Sequence, residues 1–180
     1  PVLNTKKPVL SIVSESQCVS VHENPLEVND DIVKPSMGFG THPHENMEII
    51  SIPLSGSLRH QDSMGNKHII STGEVQIMSA GSGITHSEYN NSSSEDVNFL
   101  QIWVLPQEKD ITPRYDQKVF DEGNRNNRFQ LLVSPETSEE AVWINQDAWF
   151  SLADIEAEKQ LSLGLGSTNF NQSPIVHYKL

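Results

Sequence analysis

Short runs of alternating apolar and polar residues, separated by Gly, Pro, Asn and Ser about every ten positions, dominate the sequence. A period of two places the apolar side chains on one face of a strand, and such frequent turn residues leave no room for long helices. The pattern therefore predicts an all-β sandwich or barrel. The clearest candidate strands are residues 47–54, 57–61, 67–71, 74–79, 99–105, 128–133, 141–144 and 149–153.

Two polar segments punctuate these runs. Residues 62–66 contain Gly65, which adopts the positive φ of a tight turn at no steric cost, so this segment predicts a β-hairpin loop. Residues 123–127 are rich in Gly and Asn and predict a boundary between two unequal parts. The second part has about 55 residues, which is marginal for an independent core. We therefore expect it to pack on the first part or to belong to a longer domain.

Charge and composition limit the classes of partner. The chain has 12 Lys and Arg against 24 Asp and Glu, a formal charge of −12, so we expect no direct nucleic-acid binding, which depends on clustered cations. The single cysteine, Cys18, excludes an internal disulfide and fits a reducing compartment. No apolar run approaches the roughly 20 residues that span a bilayer, and residues 1–7 lack the apolar stretch of a secretory signal. These features predict a cytoplasmic protein without a membrane partner.

Two pairs of potential metal ligands lie in Gly-rich surroundings. His42 and His44 are two residues apart, as are His86 and Glu88. In a strand, residues i and i+2 point to the same face, so each pair presents two ligands together, and two pairs brought together make a set of four. The alternative is that each pair is ordinary polar decoration of a strand. Spacing alone does not decide between these interpretations.

The chemistry of such a set favours a transition metal. Neutral imidazole nitrogens with one carboxylate oxygen suit iron, manganese, nickel, copper or zinc, whereas calcium and magnesium prefer oxygen ligands throughout. An octahedral ion held by four side chains keeps open positions for water or a bidentate substrate. Open positions are what make a metal site catalytic.

The sequence around these pairs resembles the pirin family of the cupin superfamily, whose members are similar to quercetin dioxygenases. The two cupin motifs are recognisable in residues 38–44 with Glu48 and Gly56, and in residues 73–81 with His86, Ser87, Glu88 and Asn90. Sequence typical of the family also fills residues 60–66 and 99–103. The resemblance covers residues 27–122 well, which is far more than a single short motif.

This resemblance implies a cupin jelly-roll β-barrel in the tandem arrangement of pirins. Residues 1–125 would form an amino-terminal cupin barrel that carries the metal site, and residues 126–180 a partial second cupin-like β domain without metal ligands. The second part departs from the family pattern because it is too short for a complete barrel. Its only histidine is His177. We therefore expect the metal chemistry to be confined to the first barrel.

The ligands of the family carry over residue by residue. In pirins, two histidines of the first motif and the His and Glu of the second hold the metal, which here implies His42, His44, His86 and Glu88. Many other cupins use the Glu of the first motif. That residue is Glu48 here, so Glu48 is an alternative ligand or an acceptor that orients a histidine.

The remaining histidines have more modest expected roles. His60 belongs to the family pattern and is interpreted either as a hydrogen-bonded strand residue or as part of the pocket mouth. His22, His68 and His177 match no ligand motif and are predicted to be surface or structural residues.

The resemblance also implies a cofactor and an activity. The expected cofactor is one divalent transition metal, with Fe2+ preferred and Ni, Mn, Cu, Co and Zn as alternatives. The implied reaction is oxygenolytic cleavage of quercetin, or of a related small flavonol or enediol substrate, with Glu88 as general base. A second interpretation is a non-enzymatic redox sensor or transcriptional co-regulator that binds a protein partner. A third is a structural cupin that retains no metal.

Overall fold

The computed structural model describes residues 6–14, 26–157, 159 and 175–179. Cys18 and His22 lie outside them. Regular structure in the described residues is β, apart from one short 3₁₀ helix at Glu122–Arg125, which confirms the predicted all-β class. None of the helices found in those segments is long and apolar enough to cross a membrane.

Fourteen strands follow one another along the described chain. They are β1 (Lys7–Ser14), β2 (Leu26–Val33), β3 (Gly38–His44), β4 (Glu48–Ser55), β5 (Ser57–Asp62), β6 (Lys67–Ser71), β7 (Glu74–Ser79), β8 (Ile84–Asn90), β9 (Val97–Val104), β10 (Arg114–Val119), β11 (Gln130–Ser134), β12 (Val142–Trp143), β13 (Ala148–Ile155) and β14 (Ile175–Lys179). The eight predicted runs correspond to β4 to β7, β9 and β11 to β13. The predicted hairpin joins β5 to β6, and Gly65 in its loop has φ of +96°.

The strands that the apolar alternation did not predict are β1, β3, β8 and β14, together with β2 and β10. The last two share a physical reason. Both are edge strands of the same sheet, so each pairs with one neighbour only. Neither contains a fully buried residue. An edge strand needs fewer apolar side chains than a central one, and the hydrophobic pattern that reveals central strands is correspondingly weak.

Two facing sheets form the first half of the molecule. One has the strand order β10-β7-β4-β9-β2, and the other has the order β3-β8-β5-β6. Leu58 and Ile70 of the second sheet pack against Val97 and Phe99 of the first. The described strands stay in two separate sheets, so this jelly roll is an open barrel. Its interior lies between β3 and β8 on one side and β4 and β9 on the other.

A third sheet covers the outer face of the first. Its strand order is β12-β11-β13-β1-β14, and Leu10 and Phe150 on this sheet share a core with Ile50 and Ile52 of β4. Strand β1 pairs along its whole length with β13. This differs from our assignment of residues 1–125 to the first barrel, because β1 lies in the sheet of the second half. Its buried residues Leu10 and Ile12 belong to the core that this sheet shares with the first sheet. The boundary near residue 125 stays a prediction.

Candidate metal centre

Strands β3 and β8 pair side by side and carry the four predicted ligands. The register places His42 opposite His86, and Phe39 opposite Glu88. A register irregularity between Phe39 and His42 interrupts the ladder. Such a bulge re-aims side chains, and here it lies immediately before the first histidine pair.

Three of the predicted ligands converge. The donor atoms of His42, His44 and His86 all lie within 4.8 Å of one another, and the Nε2 atoms of His42 and His86 are 3.0 Å apart. An ion with Zn–N bonds of about 2.0–2.1 Å holds neighbouring nitrogens roughly 3 Å apart, so this spacing fits two ligands of one ion. The three residues therefore have the donor type and the spacing of a metal site.

Two of the three imidazoles have pKa values well below the ordinary value of 6.5. Burial, followed by the charge of His42, lowers the pKa of His44 to about 4. Burial and the neighbouring His42 and His44 lower the pKa of His86 to about 3. His42 donates its Nδ1–H to the carbonyl oxygen of Gly40 at 2.7 Å, so Nε2 is the ring nitrogen that faces His86. Neutral rings with inward lone pairs are what a metal ion requires.

Glu88 lies deeper than the two histidines of β3. Its carboxylate accepts hydrogen bonds from the Ser51 hydroxyl at 3.2 Å and from the Gln101 amide at 2.5 Å. Burial raises the pKa of Glu88, although both hydrogen bonds oppose that change. Its carboxylate oxygen lies within 4.8 Å of donor atoms of His60 and His86, so the site consists of two overlapping donor groups that share His86. Joint binding of one ion by His42, His44, His86 and Glu88 stays a prediction.

Glu48 lies on the opposite face of its strand from the metal centre. It alternates in step with Ile50 and Ile52, whose side chains pack toward the third sheet. Its carboxylate accepts hydrogen bonds from the Ser79 hydroxyl at 2.8 Å and the Asn145 backbone N–H at 3.3 Å. Neither donor group of the metal centre includes it. The structure therefore places Glu48 between the first and third sheets, away from the histidines. This does not fit either expected role of Glu48, as an alternative ligand or as an acceptor that orients a histidine.

His60 is a buried strand residue and not part of a pocket mouth. Its side chain is 0% exposed, and its Nε2 atom lies 3.3 Å from the Asp62 carboxylate. The His60 ring is 5.3 Å from that of His86 and 5.0 Å from that of Tyr115. His68 is exposed, as predicted for a residue outside the ligand motifs, and stacks on Tyr115. His177 lies in β14.

Sequence reasoning missed the residues that contact Glu88. Ser51 and Gln101 are directly paired across β4 and β9, and both are buried. Each is an isolated polar residue inside an otherwise apolar run. Because buried polar groups need partners, such an interruption is a signal that could have identified them.

A surface cavity borders the site. It has a volume of about 440 Å³, and its walls include Pro43, His44, Ile84 and Thr85. Small-molecule sites typically have volumes of about 300–1,000 Å³, so the cavity is large enough for a small aromatic molecule. Of the four predicted ligands, His44 is the one that lines this cavity.

Comparisons with known proteins show which family the chain belongs to. The family model described as Pirin matches residues 11–104, which is more than half of the chain. The chain belongs to the pirin family. A second family model, described as the quercetinase C-terminal cupin domain, matches residues 131–171 of this pirin.

Similar proteins come from Escherichia coli. The quercetin 2,3-dioxygenase of strain K12 is 46% identical over 139 residues, which are 75% of this pirin and 59% of that protein. The crystal structure of YhhW has a TM-score of 0.64 at 49% identity, over 68% of this pirin and 52% of that chain. Bacterial pirin YhhW in complex with nickel(II) has a TM-score of 0.63 at 43% identity, over 77% and 61% of the two chains. The cupin jelly roll is thus confirmed, and this pirin spans 59% of the length of the K12 relative.

Proposed function

We propose that this pirin binds one divalent transition metal ion through His42, His44, His86 and Glu88 and acts as a dioxygenase on quercetin or a related flavonol. The observation that carries the proposal is the convergence of three imidazoles beside a buried carboxylate. Fe2+ is the preferred ion, and Ni, Mn, Cu, Co and Zn fit the same donor types. The related bacterial pirin YhhW has been crystallised in complex with nickel(II), which supports a transition metal as the ion.

Each ligand has a distinct role in this proposal. His42, His44 and His86 act as fixed neutral donors, and the bond from His42 to the Gly40 carbonyl keeps one ring in its orientation. A bound ion would supply Lewis acidity and open positions for the hydroxyl and carbonyl oxygens of a flavonol. The three histidines would hold the ion in a fixed position.

Glu88 is the proposed general base. Burial raises the pKa of its carboxyl toward the range in which a carboxylate can take a proton from a substrate hydroxyl and release it again. Ser51 and Gln101 hold the two carboxylate oxygens, so the group is oriented before substrate arrives. The cavity beside His44 provides the proposed approach for the substrate.

The test is to load the protein with Fe2+, measure bound iron, and follow quercetin absorbance and oxygen consumption in air. Wild type should bleach quercetin and consume oxygen, and Glu88→Gln should be about 10²- to 10⁴-fold slower per bound iron. The exposed His68→Ala variant is the matched histidine control and should keep the wild-type rate. Stoichiometric metal without bleaching would contradict the dioxygenase and favour a metal-binding sensor or co-regulator. A wild type without metal would favour a structural cupin.

A further inference from the structure

We propose that the barrel contains a second metal-binding position, formed by His60, His86 and Glu88, deeper than the three-histidine group. The donor atoms of these residues lie within 4.8 Å of one another, and all three side chains are buried, whereas His42 and His44 are only partly so. Two imidazoles and a carboxylate suit a transition metal. This inference rests on the proposed function in one respect: His86 and Glu88 are also ligands of the proposed catalytic metal site. Because both positions use His86, we expect them to be alternatives for a single ion.

Asp62 fixes the direction in which His60 presents a lone pair. Its carboxylate lies beside His60 Nε2 and also accepts hydrogen bonds from the Met64 backbone N–H and from the backbone and side chain of Asn66. Because both carboxylate oxygens are acceptors in these bonds, His60 donates its Nε2–H to Asp62 and Nδ1 is the nitrogen that can present a lone pair. A carboxylate behind a histidine is the usual support of a metal-bound imidazole.

The lone pair of His60 has no partner within the structure. Its Nδ1 atom is buried and makes no hydrogen bond to any described residue, and the same is true of His86 Nδ1. Buried nitrogens without partners are uncommon because they have given up their hydrogen bonds to water. A cation in this position would use the free lone pair of His60.

A third unpartnered side chain lies on the facing sheet. Gln76 is 1% exposed, and neither of its amide atoms has a hydrogen-bond partner among the described residues. Its register partner on β4 is Ser51, which donates to Glu88. Gln76 therefore projects into the same interior and can hydrogen-bond to water carried by an ion.

The experiment separates the two positions with Co2+ as the probe. The variants are His42→Ala/His44→Ala, the same pair with His60→Ala, and the same pair with His68→Ala as the matched control. Binding is measured by titration calorimetry, bound cobalt by mass spectrometry, and folding by circular dichroism. The double variant should still bind close to one Co2+ per chain, added His60→Ala should abolish that binding, and added His68→Ala should leave it unchanged. Adding Asp62→Asn to the double variant should weaken it about 10- to 100-fold.

The inference is overturned if the folded double variant binds no Co2+ while the wild type does, or if added His60→Ala changes nothing. A wild type that binds no Co2+ overturns the proposed metal function as well, so the two failures are distinguishable. If the double variant does not fold, single His42→Ala is used instead. His60→Ala should then reduce Co2+ affinity by a larger factor in the His42→Ala background than in wild type, and equal factors would contradict the second position.

Discussion

Gln101 and Glu88 form the closest polar contact between the two facing sheets at the metal centre, with 2.5 Å between the amide nitrogen and the carboxylate oxygen. Both residues are buried, so water does not compete for this bond. Hydrogen bonds of this kind orient a ligand before the metal arrives and are nearly as important as the ligand itself. Ser51 reinforces the same carboxylate from the neighbouring strand.

Removing this amide should weaken metal binding without unfolding the protein. We expect Gln101→Leu to lower metal affinity about 10- to 100-fold, because the Glu88 carboxylate loses the donor that holds it toward the site. Titration calorimetry with Co2+ measures the effect, and Gln61→Leu, on an exposed glutamine of β5, is the control. An unchanged affinity in Gln101→Leu would show that Glu88 does not need this contact.

The difference between predicted and unpredicted site residues follows from sheet pairing. The pairs His42/His44 and His86/Glu88 could be proposed because the period of a strand puts i and i+2 on one face. The contact of Gln101 with Glu88 requires that β9 faces β8 across the barrel, and no local pattern carries that information. Asp62 was likewise read as part of a hairpin loop, although its side chain also supports His60.

At the scale of elements, β3 and β8 must approach closely for the two ligand pairs to meet. Gly38 makes this approach possible, since a Cβ atom there would lie 2.2 Å from the Glu88 carbonyl oxygen and 2.5 Å from the Tyr89 Cα atom. Both are backbone atoms, which cannot rotate away. A side chain at Gly38 must therefore push the two strands apart.

Gly38→Ala should both destabilise the fold and weaken metal binding. We expect a loss of about 2–3 kcal/mol in the free energy of unfolding, measured with urea, because a clash inside packed structure cannot relax without moving the backbone. Gly40→Ala is the control on the same strand, since its added Cβ would meet only the Tyr89 hydroxyl at 3.7 Å. Equal stability of the two variants would contradict this account of the strand pair.

Strand prediction succeeded for the three central strands of the first sheet and failed for the two edge strands of that sheet. β4, β7 and β9 are flanked on both sides and mostly buried, so their apolar runs were plain in the sequence. Edge strands β2 and β10 have no fully buried residue and carry no such signal.

At the scale of the whole molecule, Glu48 lies between the first and third sheets. It is 0% exposed, and burial raises its pKa to about 7, against the hydrogen bonds from Ser79 and Asn145 and the charge of Arg114, which lower it. Its ordinary pKa is 4.5. As pH rises from 4.5 to about 7, the unfolded chain releases the proton that the folded chain still holds, so folding stability falls over this range and the contribution is constant above it.

Glu48→Gln should remove this pH dependence. Between pH 5 and pH 8 the free energy of unfolding of wild type should fall by about 2–3 kcal/mol more than that of Glu48→Gln. Urea unfolding at the two pH values measures both, and comparing the difference between proteins cancels the other titrating groups. The same fall in both proteins would mean that Glu48 titrates normally in the folded state.

The packing of β1 on β13 also belongs to this scale. The sequence indicated two unequal parts, but it did not indicate that the amino-terminal strand completes the second one. Leu10 pairs with Leu152, which is far away from it in the sequence. Short-range patterns do not specify so distant a partner.

Metal content of the purified protein tests the central claim most directly. Wild type and His86→Ala are prepared identically, checked for folding by circular dichroism, and analysed for bound transition metals by mass spectrometry after incubation with Fe2+. Because His86 belongs to both donor groups, the account predicts close to one ion per wild-type chain and almost none in His86→Ala. A wild type without metal, or a folded His86→Ala variant that retains a full equivalent, would contradict it.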